Sequence, residues 1–418
     1  MGVAAALGPV IALRRRADAQ RRNVVAEATP GATVTPRAAL TAGRRAEVAP
    51  RPRAPVAITG PWEGFNPVAA VPGPDGRYTV DLPGGLRGTL TLEPAWQRAT
   101  VGLLAHHEIP MASVVLLDTV TGRVLVYASR GGGGVPGGDL ARAAEAPAAS
   151  VFKIVTSSAL LGGGLGEDAV TCYSGGFHAL TARDLVADPR RDRDCVPLSE
   201  AFARSLNTVF ARRALERLHP NDEESAARQW GFGEAIPFDA PVAPSTVEVP
   251  SDTLGFARTA AGFWHSHLTP LQGALLAQGV ALGGEMLRPW LLDSVRDARG
   301  ETVAVGGPRP WRRAVAPEVA AALGHMMLRT VSEGTASGAF HDDAGRAYLE
   351  GVTVGGKTGT LTAASPYRAY TWFVGNAETA GRRLSIAVMV ANGPLWRVKA
   401  STVARQVLQI ALRGRATD

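Results

Sequence analysis

The sequence predicts an α+β protein in which an antiparallel sheet is flanked by helices and lies beside a largely helical lobe. Strand patterns occur near residues 113–129 and return between 352 and 391, whereas most of the intervening chain is helical in pattern. Strands from both ends of a chain, with helices inserted between them, indicate one mixed unit. The length of 418 residues, 46% of them apolar, suffices for a large buried core.

The first elements are two hairpins and a helix. Tyr78–Leu92 alternates apolar and polar residues across a Pro-Gly-Gly turn, which predicts a β-hairpin. Glu93–His106 has helical character, with Pro94 in the first turn. Ser113–Leu117 and Arg123–Ser129 are apolar runs on either side of a second turn, so a second hairpin is expected.

The rest of the chain is first helical and then strand-like. Helical patterns prevail from Ser150 to about Val331, interrupted by loops at Thr181–Pro197 and Pro237–Asp252. Strands and a final amphipathic helix are then expected at Val352–Leu361, Ala369–Gly375, Leu384–Ala391 and Ser401–Leu412.

Three segments are predicted along the chain. Residues 1–55 combine a short apolar segment with a basic, Pro- and Ala-rich linker that has no apolar period and reads as disordered. Residues 56–92 form a small β-rich lead-in, and residues 93–418 form the main domain.

The basic charge belongs to the N-terminal segment. Residues 1–53 hold ten arginines and three acidic residues, which equals the formal net charge of +7 of the whole chain. No aromatic residue is interleaved among these arginines, so nucleic acid is not expected as a partner, and attraction to an anionic membrane surface is favoured.

The apolar run Val3–Leu13 is too short to span a bilayer. It fits the end of a longer anchor, an atypical export signal or a disordered N-terminus, with orientation open.

The chain contains two cysteines, Cys172 and Cys195. Two thiols cannot form a four-cysteine zinc site, and no histidine pair lies near either at ligand spacing. We therefore expect no metal and no cofactor. Whether the two cysteines are bridged or free is open at this level.

Lysine is scarce in this chain, and its placement is informative. There are three lysines against 41 arginines, and two of the three lie in Ser150-Val151-Phe152-Lys153 and Lys357-Thr358-Gly359-Thr360. Arginine cannot be deprotonated in a protein, whereas a desolvated lysine can lose its proton near neutral pH and act as a base. The third lysine, Lys399, has no such partner in the sequence and is assigned no role.

The spacing of Ser150 and Lys153 suits nucleophilic catalysis. Residues three apart lie on one face of a helix, so the amine can reach the hydroxyl and take its proton. Ser205-Leu206-Asn207 adds polar groups in an apolar helical context, where Asn207 could hold the amine and Ser205 could relay a proton. Lys357, Thr358, Gly359 and Thr360 form a strand pattern whose side chains could bind a carboxylate and whose amides could complete an oxyanion hole.

Each motif alone is more often structural than functional. Their joint occurrence in this order, with 55 residues from Ser150 to Ser205 and 152 from Ser205 to Lys357, favours function. The set resembles that of the penicillin-recognising serine acyltransferases, and within them the transpeptidase domain of penicillin-binding proteins. The resemblance runs from about Gly88 to the C-terminus. Supporting segments are Leu92-Glu93-Pro94, 117–125, 268–272 and Gly283-Gly284.

The resemblance implies a mechanism and partners. Ser150 would be the acylated nucleophile and Lys153 its base, Ser205 and Asn207 the second motif, and Lys357, Thr358 and Thr360 the binders of the carboxylate of a D-Ala-D-Ala stem. The oxyanion would lie between the amides of Ser150 and Thr360. Peptidoglycan stem peptides would be substrates and β-lactams covalent inhibitors, in a periplasmic or other extracytoplasmic location with anchoring to the inner membrane as one option.

Alternatives from other classes remain open. Leu206 replaces the aspartate of the Ser-Asp-Asn form, which disfavours a class A β-lactamase, and no glycosyltransferase domain is recognised upstream. A D,D-carboxypeptidase, a class D-like β-lactamase and a non-catalytic β-lactam sensor or scaffold share parts of the motif set. The intact lysines disfavour the non-catalytic option in a chain this rich in arginine.

Overall fold

The computed structural model describes residues 54–131, 138–175 and 179–413. The chain divides into the units Met1–Pro52 and Arg53–Asp418. The predictions for the N-terminal apolar run and basic linker therefore fall outside the described residues. Within the described ranges, no helix combines the length and the apolar character needed to cross a bilayer.

The second unit is built around a five-stranded antiparallel sheet, with elements numbered in chain order. Its strands, in spatial order, are β16 (Thr353–Ala364), β17 (Tyr367–Thr379), β18 (Arg382–Asn392), β5 (Met111–Asp118) and β6 (Val124–Arg130). Because β5 and β6 precede the helical region and β16 to β18 follow it, the expected contribution of strands from both ends is confirmed. β16 lies at the edge of this sheet.

Helices cover both faces of the sheet. α8 (Pro270–Ala281) packs against β5, β17 and β18 on one face, whereas α1 (Pro94–His106) and α11 (Ala400–Arg413) lie on the other. The side chains alternate accordingly: Trp372 belongs to the core on the α8 face, and its neighbour Phe373 to the core on the α11 face. The predicted α+β class is thus confirmed.

A helical lobe adjoins the α8 face. It contains α2 (Lys153–Gly162), α3 (Ala182–Leu185), α4 (Leu198–Arg204), α5 (Asn207–Arg217), α6 (Pro220–Gln229), α7 (Thr253–Ala260) and α9 (Pro317–Ser332). The short helix α10 (Ser337–Phe340) follows α9 and packs against α11 on the other face of the sheet. α9 contacts α2, α4, α8 and β16 and so connects this lobe to the sheet edge. The functional motifs lie at this junction.

A second sheet includes the lead-in segment. Its order is β1 (Val56–Ala57), β14 (Thr302–Val305), β13 (Leu292–Arg296), β4 (Leu86–Leu90), β3 (Tyr78–Leu82) and β2 (Val71–Pro72). β3 and β4 form the predicted hairpin. They share the sheet with β13 and β14, so the lead-in pairs with strands that arrive about 200 residues later.

Strands near residues 285–313 are absent from the predictions. β12 (Glu285–Leu287) pairs with β15 (Pro310–Arg313), and β13 and β14 lie between them in sequence. These strands are three to five residues long. Such short segments carry little periodicity, and their conformation is fixed by pairing with distant strands. The mostly helical interpretation of 150–331 is therefore wrong for this part.

Smaller ladders support the junction. β7 (Ala146–Pro147) pairs with β11 (Ser266–Leu268), which also pairs with β10 (Thr246–Val247). A separate antiparallel pair joins β8 (Val170–Tyr173) to β9 (Asp194–Pro197). β9 lies in the predicted loop Thr181–Pro197, whereas β8 lies where a helical pattern was predicted, so that prediction is wrong for β8. Cys172 and Cys195 face each other across that pair of strands and form a disulfide.

Replacing both cysteines by serine is expected to lower the free energy of unfolding by about 3 kcal/mol, because the bond closes a loop with a sequence separation of 23 in the unfolded chain. Denaturant unfolding with and without reductant measures this. Reductant should destabilise the wild-type protein to the level of the double variant and leave the variant unchanged. Equal stability of the oxidised protein and the variant would contradict the expectation.

Candidate active site

Ser150 lies in a tight turn that leads into α2. Residues Ala149–Phe152 form one 3₁₀ turn, and the α-helix begins at Lys153. Ala149 has a φ of 50°, a left-handed conformation that is unfavourable for alanine and is held by its surroundings. Trp372 Nε1 donates to the Pro147 carbonyl at 2.8 Å, and the Ala148 amide donates to the Ser266 carbonyl at 2.9 Å.

The amine of Lys153 has three close oxygen neighbours. Its Nζ lies 3.0 Å from Ser150 Oγ, 2.8 Å from Asn207 Oδ1 and 2.5 Å from the carbonyl oxygen of Ala261. The two carbonyl-type oxygens can only accept hydrogen bonds. A neutral amine has two N–H donors for them and one lone pair, which is then left to accept the proton of the Ser150 hydroxyl.

Burial favours that neutral form. Lys153 is fully buried, and its Nζ lies 5.4 Å from the centre of the Phe210 ring. Desolvation, and secondarily the charge of Lys357, lowers the pKa of Lys153 well below the usual lysine range. Lys357 is also fully buried, and burial lowers its pKa to about 7. The charge of Lys357 thus adds to the effect of burial and favours the neutral form of Lys153.

Ser205 and Asn207 lie in the turn between α4 and α5. Ser205 ends α4 with a φ of 59°, again left-handed, and Asn207 begins α5. This reversal points the two side chains to one side. Lys357 Nζ donates to Ser205 Oγ at 3.0 Å and to the Thr358 carbonyl at 3.0 Å, so the second and third motifs are in contact.

The third motif lies on β16 at the edge of the sheet. A side chain at Gly359 would place its Cβ 3.2 Å from the Ala148 carbonyl oxygen, so glycine allows the strand to approach the Ser150 turn. Thr358 Oγ1 lies 2.5 Å from Thr335 Oγ1, and the side chain of Thr360 is exposed. Thr335 carries no sequence signal that could have identified it.

These groups surround a cleft of about 660 Å³. Of the eight residues predicted from the motifs, six line the cleft: Ser150, Ser205, Asn207, Thr358, Gly359 and Thr360. Lys153 and Lys357 lie buried behind Ser150 and Ser205. The structure thus brings all eight predicted residues together.

The cleft also contains groups that the motifs do not identify. Lys399 lines it, so all three lysines of the chain lie at or behind this cleft. The scarcity of lysine was the available signal for it. No aspartate or glutamate is among the lining residues, and Arg204 at the rim pairs with Glu200 at 2.8 Å. Within the described residues, no cluster of three His, Cys, Asp or Glu side chains could hold a metal ion.

Comparison with known proteins identifies the class. The family described as the penicillin binding protein transpeptidase domain matches residues 112–411, which is most of the chain. The chain therefore belongs to the penicillin-binding protein transpeptidase family.

Individual relatives agree with that class. The chain is 30% identical over 283 residues to the peptidoglycan D,D-transpeptidase PbpA of Mycobacterium tuberculosis (strain CDC 1551 / Oshkosh), covering 64% of this chain and 55% of the relative. It is 28% identical over 259 residues to PbpA of Mycolicibacterium smegmatis, covering 59% and 50%. The chain thus spans about half the length of the curated relatives it matches.

Solved structures show the same fold. The crystal structure of PBPA from M. tuberculosis superposes with a TM-score of 0.65 at 25% identity, covering 77% of this chain and 80% of that chain. The imipenem acyl-enzyme complex of penicillin-binding protein A from M. tuberculosis gives a TM-score of 0.65 at 26% identity, covering 77% and 79%.

Replacing Lys357 by methionine is expected to raise the pKa of Lys153, because the positive charge of Lys357 is one of the two effects that lower it. Labelling the lysine side chains with ¹³C at Cε should give a spectrum with three signals, since the chain has three lysines. In Lys399→Arg the signal of the exposed Lys399 disappears, which assigns it. The midpoint of the pH titration of the Lys153 signal should be unchanged in this variant. A Lys153 midpoint that is unaffected by Lys357→Met would contradict the expected coupling.

Proposed function

We propose that the protein is a D-Ala-D-Ala transpeptidase that cross-links peptidoglycan through an acyl-enzyme on Ser150. The observation that carries this proposal is the position of Lys153 Nζ, which lies 3.0 Å from Ser150 Oγ with its other two close contacts on acceptor oxygens. A serine with a preoriented neutral amine is an activated nucleophile. The names of the relatives, peptidoglycan D,D-transpeptidases, support the same reaction.

In the first step, Ser150 Oγ attacks the carbonyl carbon of the penultimate D-alanine. Lys153 takes the hydroxyl proton as the O–C bond forms, and the negative charge develops on the carbonyl oxygen. The backbone amides of Ser150 and Thr360 are the proposed donors to that oxygen. The C–N bond then breaks, and the terminal D-alanine leaves with a proton that Ser205 relays from Lys357, to which it is hydrogen-bonded.

Substrate orientation is assigned to β16. As an edge strand, it offers unpaired backbone groups along which an extended stem peptide can add as a further strand. The terminal carboxylate is then held by Thr358 and Thr360 together with the ammonium of Lys357. Because the pKa of Lys357 is about 7, this cationic contribution declines as the pH rises above neutrality.

In the second step, an amine from a neighbouring stem attacks the acyl carbon and restores the Ser150 hydroxyl. Its N–C bond forms as the Oγ–C bond breaks, and Lys153 returns its proton to Ser150 Oγ. The proton lost by the attacking amine passes through Ser205 to Lys357, which regains its ammonium form. Water in place of the amine would give a D,D-carboxypeptidase product, and rapid hydrolysis of a β-lactam adduct would give a class D-like β-lactamase. β-Lactams mimic the substrate and acylate the same serine.

We further propose an extracytoplasmic location, where peptidoglycan lies. The Cys172–Cys195 disulfide supports an oxidising compartment. Residues 1–55 are proposed to act as a basic linker that associates with an anionic membrane surface, and residues 56–92 as a β-rich lead-in to the acyltransferase domain 93–418.

The proposal predicts that a fluorescent penicillin labels the full-length protein with one covalent adduct, and that Ser150→Ala abolishes this label because no nucleophile remains. Intact mass followed over time measures it, with Ser332→Ala, an exposed serine outside the cleft, as the matched control. A persistent adduct supports a penicillin-binding protein, rapid loss of the adduct would indicate a β-lactamase, and no adduct on folded protein would refute the proposal.

Assay with a D-Ala-D-Ala-terminated peptide and an amine acceptor separates the two D,D-peptidase outcomes. Release of D-alanine with incorporation of the amine is the expected result. Release with hydrolysis alone would assign a carboxypeptidase.

A further inference from the structure

A buried acid lies behind the nucleophile and has no part in the chemistry proposed above. Glu223, in the first turn of α6, is fully buried in the helical lobe. Its Oε1 lies 2.5 Å from Thr156 Oγ1 on α2, one turn after Lys153. Its Oε2 has no hydrogen-bond partner among the described residues.

The contacts of Thr156 and the burial of Glu223 favour the protonated acid. Thr156 Oγ1 also lies 3.0 Å from the carbonyl oxygen of Ala260, which can only accept a hydrogen bond. The single hydroxyl proton of Thr156 can serve one of these two oxygens, whereas a protonated Glu223 supplies a second proton and satisfies both contacts. A carboxylate with an unpaired oxygen in this interior would be costly.

The chain of hydrogen bonds ends at the turn that orients Lys153. Ala260 is the last residue of α7, and the carbonyl of the next residue, Ala261, is 2.5 Å from Lys153 Nζ. Gly262 follows with a φ of 83°, and a Cβ there would lie 2.9 Å from the Cα of Ser150. Three successive residues of this turn therefore contact α2 or the nucleophile turn.

We propose that Glu223 is a positioning residue for the nucleophile: as a neutral acid it directs the Thr156 hydroxyl onto the Ala260 carbonyl and so fixes the turn whose Ala261 carbonyl orients the Lys153 amine. This inference rests on the proposed function for its catalytic meaning. The protonation of Glu223 itself rests on its burial and its contacts, not on any reaction. Ionisation of Glu223 would draw the Thr156 proton to the carboxylate and leave the Ala260 carbonyl without its donor.

The pH range of this effect follows from the charges nearby. Burial raises the pKa of Glu223 from 4.5 to about 7, against an opposing effect of the Thr156 hydrogen bond and with a small raising contribution from the charge of Asp222. From the helices in contact, α2 contributes Lys153, and α7 contributes Arg258, which donates to the Leu180 carbonyl. The other charged residues of α6 are Asp222, Glu224 and Arg228. Because the folded pKa is raised, protonation stabilises the folded state, and this stabilisation declines as the pH rises from about 4.5 through about 7.

The decisive comparison is the pH profile of acylation by a fluorescent penicillin in the full-length wild-type protein and in Glu223→Gln. Glutamine can donate to Thr156 but cannot ionise, so the variant should match the wild type at pH 6. At pH 8.5 it should be faster than the wild type by about threefold to tenfold. Lys357 also titrates near pH 7, but it does so in both proteins. Its effect on the acylation rate therefore cancels in the ratio of the Glu223→Gln rate to the wild-type rate. Identical profiles would overturn the proposal.

Thr156 supplies the matched pair of variants. Thr156→Val keeps the shape and removes the hydroxyl, so acylation should fall about tenfold at every pH, and Thr156→Ser should restore most of it. If Thr156 had a purely structural role, Thr156→Val would lower the melting temperature. In that case Thr156→Ser would not restore the acylation rate when the two variants are equally stable. Wild-type acylation by a folded Thr156→Val protein would contradict the proposal.

Two spectroscopic measurements test the protonation of Glu223 and the positioning of the Lys153 amine without an acylation assay. The infrared difference between wild type and Glu223→Gln at pH 6 should contain the carbonyl stretch of a protonated carboxylic acid, and its absence would overturn the assignment. The ¹³Cε signal of Lys153 should differ between wild type and Thr156→Val, and an unchanged signal would show that the turn does not position the amine. If the wild type forms no penicillin adduct, the proposed function fails while these two results still decide the positioning claim.

Discussion

The amine of Lys153 joins three helices at one point, and the arrangement of the cleft depends on it. Lys153 begins α2, Asn207 begins α5, and Ala261 follows the end of α7. Because all three contacts are within 3.0 Å, the helices cannot move apart without leaving a buried polar group unpaired. Lys357 performs the equivalent task between β16 and the end of α4 through its contact with Ser205.

Lys153 and Lys357 are both fully buried, which disfavours the charged form of each amine. This burial favours the neutral form that a base requires. The rings of Phe210 and Phe202 lie against the amines of Lys153 and Lys357 respectively, and neither lysine is exposed. Burial and, secondarily, the charge of Lys357 lower the pKa of Lys153 and favour its neutral form. The same reasoning about available protons assigns a neutral amine to Lys153 and a neutral acid to Glu223. In both cases burial disfavours the charged form, and the neutral form can satisfy the hydrogen bonds that the structure shows.

Much of the fold follows from local patterns in the sequence. Alternation in Tyr78–Leu92 and the long apolar runs of the central sheet were sufficient to predict their strands. The strands around residues 285–313 were not predictable, because they are short and owe their conformation to pairing with partners far away in sequence. The disulfide was open for the same reason, since only the register of the β8–β9 pair brings Cys172 opposite Cys195.

The sequence could predict those parts of the candidate site that consist of side chains, but not those that consist of backbone groups. The eight motif residues lie together at the cleft, as their types and order led us to expect. The Ala261 carbonyl could not be predicted, since a backbone acceptor leaves no mark on the residue type. Thr335 and Glu223 also required the tertiary structure: each is an ordinary residue until the fold places it beside Thr358 or behind Lys153. For Lys399, the scarcity of lysine was a signal that the sequence alone did not tie to the cleft.

The central claim is that Lys153 acts as a neutral base, and the rate of acylation of Lys153→Arg by a fluorescent penicillin tests it most directly. Arginine keeps a cation in place but cannot accept the proton of Ser150. The account predicts a loss of roughly 10²–10⁴-fold in a protein that remains folded, with Arg397→Lys, an exchange outside the cleft, as the control. Acylation of Lys153→Arg within a few-fold of the wild-type rate would contradict it.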